Sequence, residues 1–204
     1  MIEQRTEEWF KARAGCATAS RISDIIAKTK SGPSASRQNY LADLVAERLT
    51  GTPANGYQNA DMARGTELEP EARSAYAFVS GVDVGEVGFV LHPSIPLSGA
   101  SPDGTVGEDG LVEMKCPKTA THIDHLLTQA IPDKYIVQMQ WQLACTGRKW
   151  CDFVSYDPRM PPELQLFIKR VVRDDARIKS LEEEVRVFLS EVDVTVKKLQ
   201  ALGG

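Results

Sequence analysis

The sequence of 204 residues has no apolar run near the roughly 18 residues that a membrane span requires. Its first five residues are largely polar and lack the hydrophobic core of a signal peptide. We therefore expect a cytoplasmic protein that does not enter a membrane. Hydrophobic residues make up 42% and charged residues 25%, as in ordinary globular proteins, and the length fits one domain over residues 1–204.

Cysteine is scarce in this sequence. The four cysteines are Cys16, Cys116, Cys145 and Cys151, and no two of them form a CxxC pair. Free buried thiols are the favoured interpretation for a cytoplasmic chain. An iron–sulfur cluster is the alternative, and it is disfavoured because only Cys145 and Cys151 are near each other in sequence.

Histidine and net positive charge are also scarce. His92, His122 and His125 lack the spacing of metal ligands, and we interpret all three as structural or exposed. The formal net charge is −4, which argues against a protein whose surface is largely covered by nucleic acid. The charge does not exclude an enzyme that holds metal on carboxylates and confines its basic residues to one channel.

The first part of the chain is predicted to be helical. Helices are predicted over residues 6–28, 40–49 and 62–79, with loops over residues 30–36 and 55–59. The sequence Gly51-Thr52-Pro53 is a plausible end for the second helix. Pro70 interrupts the third pattern, so the regular helix is expected to begin near this residue, where proline suits a first turn.

The middle of the chain changes to the pattern of strands. Strands are predicted over residues 85–92, 97–101, 111–115 and 150–156, with a turn over 105–110 and helices over 121–127 and 135–146. From about residue 162 to 202 we expect a long helix or a pair of helices, because apolar residues recur there every seven positions: Leu164, Val171, Ile178, Val185, Val192 and Leu199. This order predicts an α/β or α+β domain with a central mixed β-sheet flanked by helices.

An acidic pair and a lysine surround the predicted strand over residues 111–115. A period of two places Glu113 and Lys115 on one face and Met114 toward a core, and a hairpin-like turn would return Asp103 to the side of Glu113. Two carboxylates and the Met114 carbonyl suit Mg²⁺, which prefers oxygen ligands. Lys115, with a lowered pKa, would orient or deprotonate a water that attacks a phosphate. A surface salt bridge on an edge strand is the alternative.

Six ordered segments between residues 7 and 160 carry a family resemblance. Pro102-Asp103 followed by Glu113-x-Lys115 resembles the signature of the PD-(D/E)xK nuclease superfamily. The whole set resembles the motifs of lambda-type phage exonucleases, the YqaJ-like viral recombinase family. The segments are residues 9–13 with 18–20, 64–65 with 67–73, 98–104, 111–117, 138–140 and 156–159.

This resemblance implies a restriction-endonuclease-like core and a specific activity. Such enzymes digest one strand of linear double-stranded DNA from the 5′ end and leave a 3′ tail for phage-type recombination by strand annealing. The implied cofactor is Mg²⁺, for which Mn²⁺ can substitute, with two ions per site. Family members typically form a homotrimeric ring around DNA and act with a single-strand annealing protein.

The resemblance also implies a role for each motif residue. The metal would bind to Asp103, Glu113 and the Met114 carbonyl, with Glu69 as a further acid and Lys115 serving the nucleophilic water. The 5′ phosphate would bind to Arg13, Ser20 and Ser101, and the polar active-site residues would be Gln140 and Gln138.

Several simpler interpretations remain open for these residues. Glu69 suits the first turn of a helix, where Glu67 and Glu71 are its rivals for the metal. Arg13 suits a solvated helical surface, and Trp9 suits the core better than a platform for base stacking.

Two other functional classes share parts of this pattern. A nuclease with a cysteine cluster or a fused helicase is disfavoured by the cysteine spacing and the short length. A non-enzymatic DNA-binding protein with a degenerate nuclease fold would be expected to lose an acid or the lysine, and this sequence keeps them.

Overall fold

The computed structural model describes residues 3–30, 32–53 and 60–203. The first part consists of four helices and short strands: α1 Glu7–Arg13, β1 Ala17–Thr18, α2 Ile22–Ile26, β2 Lys28–Thr29, β3 Gly32–Pro33, α3 Ala35–Thr50 and α4 Ala60–Ser80. The single helix predicted over residues 6–28 is therefore wrong. Gly15 has a left-handed φ of 72°, and the backbone N–H of Ala17 donates to the Leu97 carbonyl instead of continuing the helix.

Helix α3 ends as the sequence predicts, because Gly51 takes a left-handed φ of 68° at its C-cap. Helix α4 differs from the prediction, since it runs through Pro70 instead of beginning there. Tertiary contacts hold both of its halves: Arg64 donates to the Pro117 carbonyl at 3.0 Å, and Tyr76 is buried in the core. The loop predicted over residues 55–59 lies outside the described residues.

The remaining strands are β4 Val84–Gly85, β5 Val90–Leu91, β6 Ser98–Ala100, β7 Gly104–Val106, β8 Gly110–Lys115, β9 Trp150–Tyr156 and β10 Leu166–Val172. The central sheet has the order β10-β9-β8-β7-β4, in which only the β8–β9 pair is parallel. A smaller sheet has the order β1-β6-β5. The predicted strand over residues 85–92 is thus divided between two sheets, whereas the predicted mixed α/β architecture is confirmed.

Helices α5 Thr119–Thr128 and α6 Asp133–Thr146 follow β8, and α7 Asp175–Gly203 follows β10. The helix predicted from residue 162 is wrong over residues 166–172, which pair antiparallel with β9 along their whole length. The β-branched residues of this segment, including Ile168, Val171 and Val172, suit a strand. The apolar stripe is helical only further on, where Ile178, Val185 and Val192 are buried.

The two faces of β8 contact different parts of the core. Leu111 packs with Met139 and Leu143 of α6, whereas Val112 and Met114 pack in the cluster that contains Tyr76 of α4. Glu113 lies on the same face as Leu111 and is therefore directed toward α6. Each helix in the described ranges is too short or too polar to cross a lipid bilayer.

Candidate active site

The hairpin of β7 and β8 places Asp103 next to Glu113. Gly104 lies opposite Val112, so the residue before β7 is level with Glu113. The Asp103 Oδ2 atom accepts a hydrogen bond of 2.7 Å from the Met114 N–H. The Glu113 side chain is buried and forms an ion pair with the Lys115 Nζ atom. The arrangement agrees with the hairpin expected from the sequence.

Burial and a neighbouring carboxylate disfavour the charged form of Asp103. Burial, together with the charge of Glu113, raises the pKa of Asp103 to about 8, and Glu69 adds a smaller repulsion. Burial alone would lower the pKa of Lys115, but the charges of Glu113 and Asp103 raise it above its ordinary value. The lowered pKa that the sequence suggested for Lys115 therefore depends on the added charge of metal ions.

The oxygen ligands of this site fit a magnesium ion. Across the described residues, no three histidine, cysteine or acidic side chains form a complete metal cage. Magnesium does not need such a cage, because it usually binds one or two carboxylates and keeps several waters. Asp103, Glu113 and the Met114 carbonyl meet this requirement, and a divalent cation would relieve the repulsion that raises the pKa of Asp103.

Glu69 of α4 is the third acid of this region. Its charge contributes to the raised pKa of Asp103, and its carboxylate forms an ion pair with Arg5. The Arg73 Nη2 atom lies 4.0 Å from Glu69 and donates to the backbone carbonyl of Asp103. An open pocket of about 500 Å³ is lined by residues that include Arg5, Glu69, Arg73 and Asp103. Glu69 thus faces the same space as Asp103.

The two rivals of Glu69 have other environments. Glu71 accepts a hydrogen bond of 2.7 Å from the Tyr156 hydroxyl. Glu67 lies on the exposed side of α4. The placement of these side chains favours Glu69 as the further acid of the site.

Helix α6 supplies two glutamines to Glu113. The Gln138 Nε2 atom donates to Glu113 Oε1 at 2.7 Å, and the Gln142 Nε2 atom donates to Glu113 Oε2 at 2.6 Å. The prediction for Gln140 is wrong, because its side chain donates to the Val172 carbonyl and accepts from the Asp174 N–H. Residues four apart share a helix face, whereas Gln140 is rotated about 200° from Gln138. This spacing could have identified Gln142, which the family motif did not include.

A cation lies beside Ser101, two residues before Asp103. The Arg13 Nη1 atom and the Trp9 Nε1 atom each donate to the Ser101 Oγ atom at 3.0 Å. The Arg13 guanidinium lies 3.9 Å from the centre of the Trp9 ring. Trp9 is buried, as the core interpretation predicts, but its indole N–H also serves this cluster.

Arg13 has the properties of an anion-binding group. Burial lowers the pKa of its guanidinium below the ordinary value. Within residues 3–30, 32–53 and 60–203, Arg13 has no carboxylate partner within 4.0 Å, so its charge remains available. Ser20 lies exposed in the 3₁₀ turn Ala19–Arg21, and no hydrogen bond among the described residues joins it to Arg13 or Ser101.

The cysteines and histidines are structural. All four thiols are free, and three of them, Cys16, Cys145 and Cys151, are buried. All three histidines are buried, so the interpretation of them as structural is confirmed and the alternative of exposed histidines is wrong.

The fold and the site together define a protein of the PD-(D/E)xK type, a mixed α/β domain with its acids and lysine on adjacent strands. Residues 8–149 match the YqaJ-like viral recombinase domain, which is more than half of the chain, and the protein belongs to this family.

Comparison with solved structures also finds similarity to exonucleases. The chain is 52% identical to an alkaline exonuclease, LHK-Exo, from Laribacter hongkongensis, with a TM-score of 0.90 over 97% of this chain and 98% of that chain. The complex of that enzyme with dAMP gives a TM-score of 0.91. A phage related exonuclease from Haemophilus somnus 129PT is 16% identical, with a TM-score of 0.74 over 90% of this chain and 96% of that chain, and shows similarity of fold alone.

A curated viral relative is more distant. An uncharacterized protein of Acanthamoeba polyphaga mimivirus is 27% identical over 167 residues. The match covers 76% of this chain but only 29% of that protein, so the chain spans less than a third of its length.

Proposed function

We propose that this protein is a Mg²⁺-dependent 5′-to-3′ exonuclease that degrades one strand of linear double-stranded DNA and leaves a 3′ single-stranded tail. The observation that carries the proposal is the convergence of Asp103, Glu113 and Lys115 on the adjacent strands β7 and β8. Beside them lies Arg13, which has no carboxylate partner within the described part of the chain. Membership of the family and the likeness to an alkaline exonuclease support an exodeoxyribonuclease.

The residues of β8 would carry the hydrolysis. Mg²⁺, or Mn²⁺ in its place, would be held by Asp103, Glu113 and the Met114 carbonyl, with two ions per site and Glu69 as a further acid. When bound, such ions polarise a phosphate and increase the acidity of a water. The Lys115 Nζ atom lies at the Glu113 carboxylate, where it would orient the attacking water and accept or hold its proton.

The glutamines of α6 fix the orientation of Glu113. Gln138 and Gln142 each donate to a different oxygen of this carboxylate, so the carboxylate plane is set before any ligand binds. Partners of this kind strengthen metal sites because the ligand does not have to reorganise on binding.

The Arg13 cluster would set the direction of digestion. A guanidinium suits a terminal phosphate, because it presents several N–H donors in a planar fork. Only one residue separates Ser101, a member of this cluster, from Asp103 in the sequence. A 5′ phosphate bound at Arg13 and Ser101 would place a bond near the DNA end at the metal site. Ser20 remains a predicted member of this pocket.

The assembly and partners are part of the same proposal. A homotrimeric ring would let a chain of net charge −4 concentrate its basic residues around the DNA axis while the outside remains acidic. The tailed product suits a single-strand annealing protein as partner in recombination, and cytoplasmic DNA ends would be the substrate. A non-enzymatic DNA-binding protein is the less favoured function, because Asp103, Glu113 and Lys115 are all retained.

The experiment that tests the proposed function uses blunt duplexes labelled at either end of one strand. We expect digestion only with added Mg²⁺ or Mn²⁺, release of nucleotides from 5′ ends, and faster digestion of 5′-phosphorylated than of 5′-hydroxyl ends. Digestion from 3′ ends would contradict the polarity, and full activity in EDTA would contradict the metal requirement.

A further inference from the structure

A second cationic group lies outside the metal site and the Arg13 cluster. Its centre is Asp157, a fully buried carboxylate directly after β9. Arg159 donates two hydrogen bonds to this carboxylate, from Nε to Oδ1 at 2.8 Å and from Nη2 to Oδ2 at 2.9 Å. The Thr119 hydroxyl donates a third, to Oδ2 at 2.7 Å. Burial alone would raise the pKa of Asp157, but the bonds from Arg159 and Thr119 hold it well below its ordinary value. Asp157 is therefore ionised at neutral pH.

Arg64 joins the same group from α4. Its Nη2 atom lies 3.6 Å from Asp157 Oδ1, beyond a good hydrogen bond, while its Nη1 atom donates to the Pro117 carbonyl at 3.0 Å. Arg159 and Thr119 already satisfy Asp157, so Arg64 is not needed to complete its hydrogen bonds. Two guanidiniums thus face one carboxylate, which leaves a net positive charge.

This group lies at the end of the strand that carries Glu113 and Lys115. In the parallel register, Lys115 is level with Ser155, which places Pro117 beside Asp157. Pro117 is two positions after Lys115, a distance of roughly 7 Å along an extended chain. Asp157 follows β9, on one side of β8, whereas Ser101, to which Arg13 donates, lies three residues before β7, on the other side of β8. The metal-site acids therefore lie between two cationic groups.

The side chains of this group are also accessible. The Arg159 side chain is 53% exposed and the Arg64 side chain 30% exposed. A guanidinium fixed on a buried carboxylate keeps further N–H donors free for a phosphate and loses little entropy on binding it.

We infer that Arg64 and Arg159 together bind the DNA backbone phosphate adjacent to the scissile one, on its 3′ side, and that Asp157 positions both guanidiniums. This inference rests on the proposed function. With the 5′ phosphate at Arg13 and the scissile phosphate at the metal site, three successive phosphates of one strand would each have a protein partner.

The test measures DNA affinity as a function of salt, in a Lys115→Ala background that is expected to bind DNA but to cut it about 10²–10⁴-fold more slowly. Loss of one contact to a phosphate should reduce the magnitude of the slope of the logarithm of the DNA-binding constant against the logarithm of the salt concentration by about 1. We expect this reduction in the double variant Arg64→Gln/Arg159→Gln. Arg170→Gln is the matched control. Arg170 donates two hydrogen bonds to the buried Asp152 carboxylate, at 2.8 and 2.9 Å, as Arg159 does to Asp157, and its side chain is 52% exposed. We expect Arg170→Gln to leave the slope unchanged.

A modified DNA locates the contact. A single methylphosphonate at the second internucleotide linkage from the 5′ end should weaken binding about tenfold in the background protein, as loss of a charge-assisted bond does. The same modification should have no further effect on the Arg64→Gln/Arg159→Gln variant. An equal loss in both proteins, or an unchanged salt slope, would overturn the inference. Failure of the wild-type protein to cut any DNA would instead overturn the proposed function.

Discussion

The Asp103 carboxylate accepts a hydrogen bond of 2.7 Å from the backbone N–H of Met114, the residue between Glu113 and Lys115. This contact fixes the position of the first acid relative to the second acid and the lysine. Burial, together with the neighbouring charge of Glu113, raises the pKa of Asp103, and this hydrogen bond offsets only part of the rise. The fold thus holds a repulsive arrangement that a divalent cation would relieve.

The first prediction is that metal affinity rises with pH. Burial and the charge of Glu113 raise the pKa of Asp103 to about 8, so below that pH the metal must displace a proton. We expect Mn²⁺ affinity, measured by calorimetry, to increase by up to about tenfold per pH unit from pH 6 to 8 and then to level off. An affinity that is constant across this range would contradict the assignment, and Asp103→Ala should abolish the dependence along with most binding.

The second prediction separates the three glutamines of α6. Gln138→Ala and Gln142→Ala should each reduce metal affinity or single-turnover cleavage by about 10- to 100-fold, because they release one oxygen of Glu113. Gln140→Ala is the matched control on the same helix. It should retain activity but lose about 1–3 kcal/mol of unfolding free energy in denaturant titration, since it supports the Val172 carbonyl and the Asp174 N–H. Equal losses of activity in all three variants would contradict the assignment of Gln138 and Gln142, but not Gln140, to the active site.

The third prediction concerns the 5′ phosphate. Arg13→Ala should remove the preference for 5′-phosphorylated over 5′-hydroxyl ends, measured as the ratio of digestion rates. Arg21→Ala is the control, because Arg21 also lies on an aromatic ring, 4.2 Å from the centre of Tyr40, but has Asp24 as its ionic partner. It should keep the preference. If Arg13→Ala also keeps it, the anion pocket is elsewhere.

The fourth prediction concerns stability. His125 is buried against Phe153 and Phe167, and in the described part of the chain neither ring nitrogen has a hydrogen-bond partner. Burial lowers its pKa, so below about pH 6.5 the unfolded chain binds a proton that the folded protein does not. We expect stability to fall as the pH drops below that value.

Replacing His125 should remove part of this loss. His125→Leu or His125→Phe should raise the unfolding free energy by about 1–2 kcal/mol, with a larger gain at pH 5 than at pH 8. Chemical denaturation at both pH values measures this gain. If both variants are destabilised equally at the two pH values, the unpaired ring nitrogens of buried His125 do not reduce the stability of the folded protein.

The structure could be predicted from the sequence where the local residue pattern agrees with the final fold. The alternation in β8 correctly assigned Glu113 and Met114 to opposite faces, and the turn before it returned Asp103 to Glu113. Strand β10 was missed because Val171 fits a seven-residue helical stripe as well as a strand, and only pairing with β9 decides between them.

The error at Gln140 also comes from information that the sequence pattern does not contain. Gln140 was predicted with Gln138, and Gln142 was not, because a motif gives sequence position and not the rotation of a helix. The exposure of Ser20 depends on the 3₁₀ turn Ala19–Arg21, which interrupts a segment predicted as continuous helix. The group around Asp157 joins three separate parts of the chain, and the motifs that contain Arg64 and Asp157 do not indicate that the two residues meet.

The central claim is that Lys115 serves the chemistry of a metal-dependent nuclease and is not merely the ion-pair partner of Glu113. The most direct measurement is single-turnover cleavage of a 5′-phosphorylated duplex by Lys115→Ala, with DNA affinity and calorimetric Mn²⁺ binding measured on the same protein. We predict a rate reduced by about 10²–10⁴-fold, with DNA affinity only modestly lower and Mn²⁺ still bound. Asp103→Ala should also stop cleavage but bind Mn²⁺ poorly. Cleavage by Lys115→Ala at the wild-type rate would contradict the mechanism.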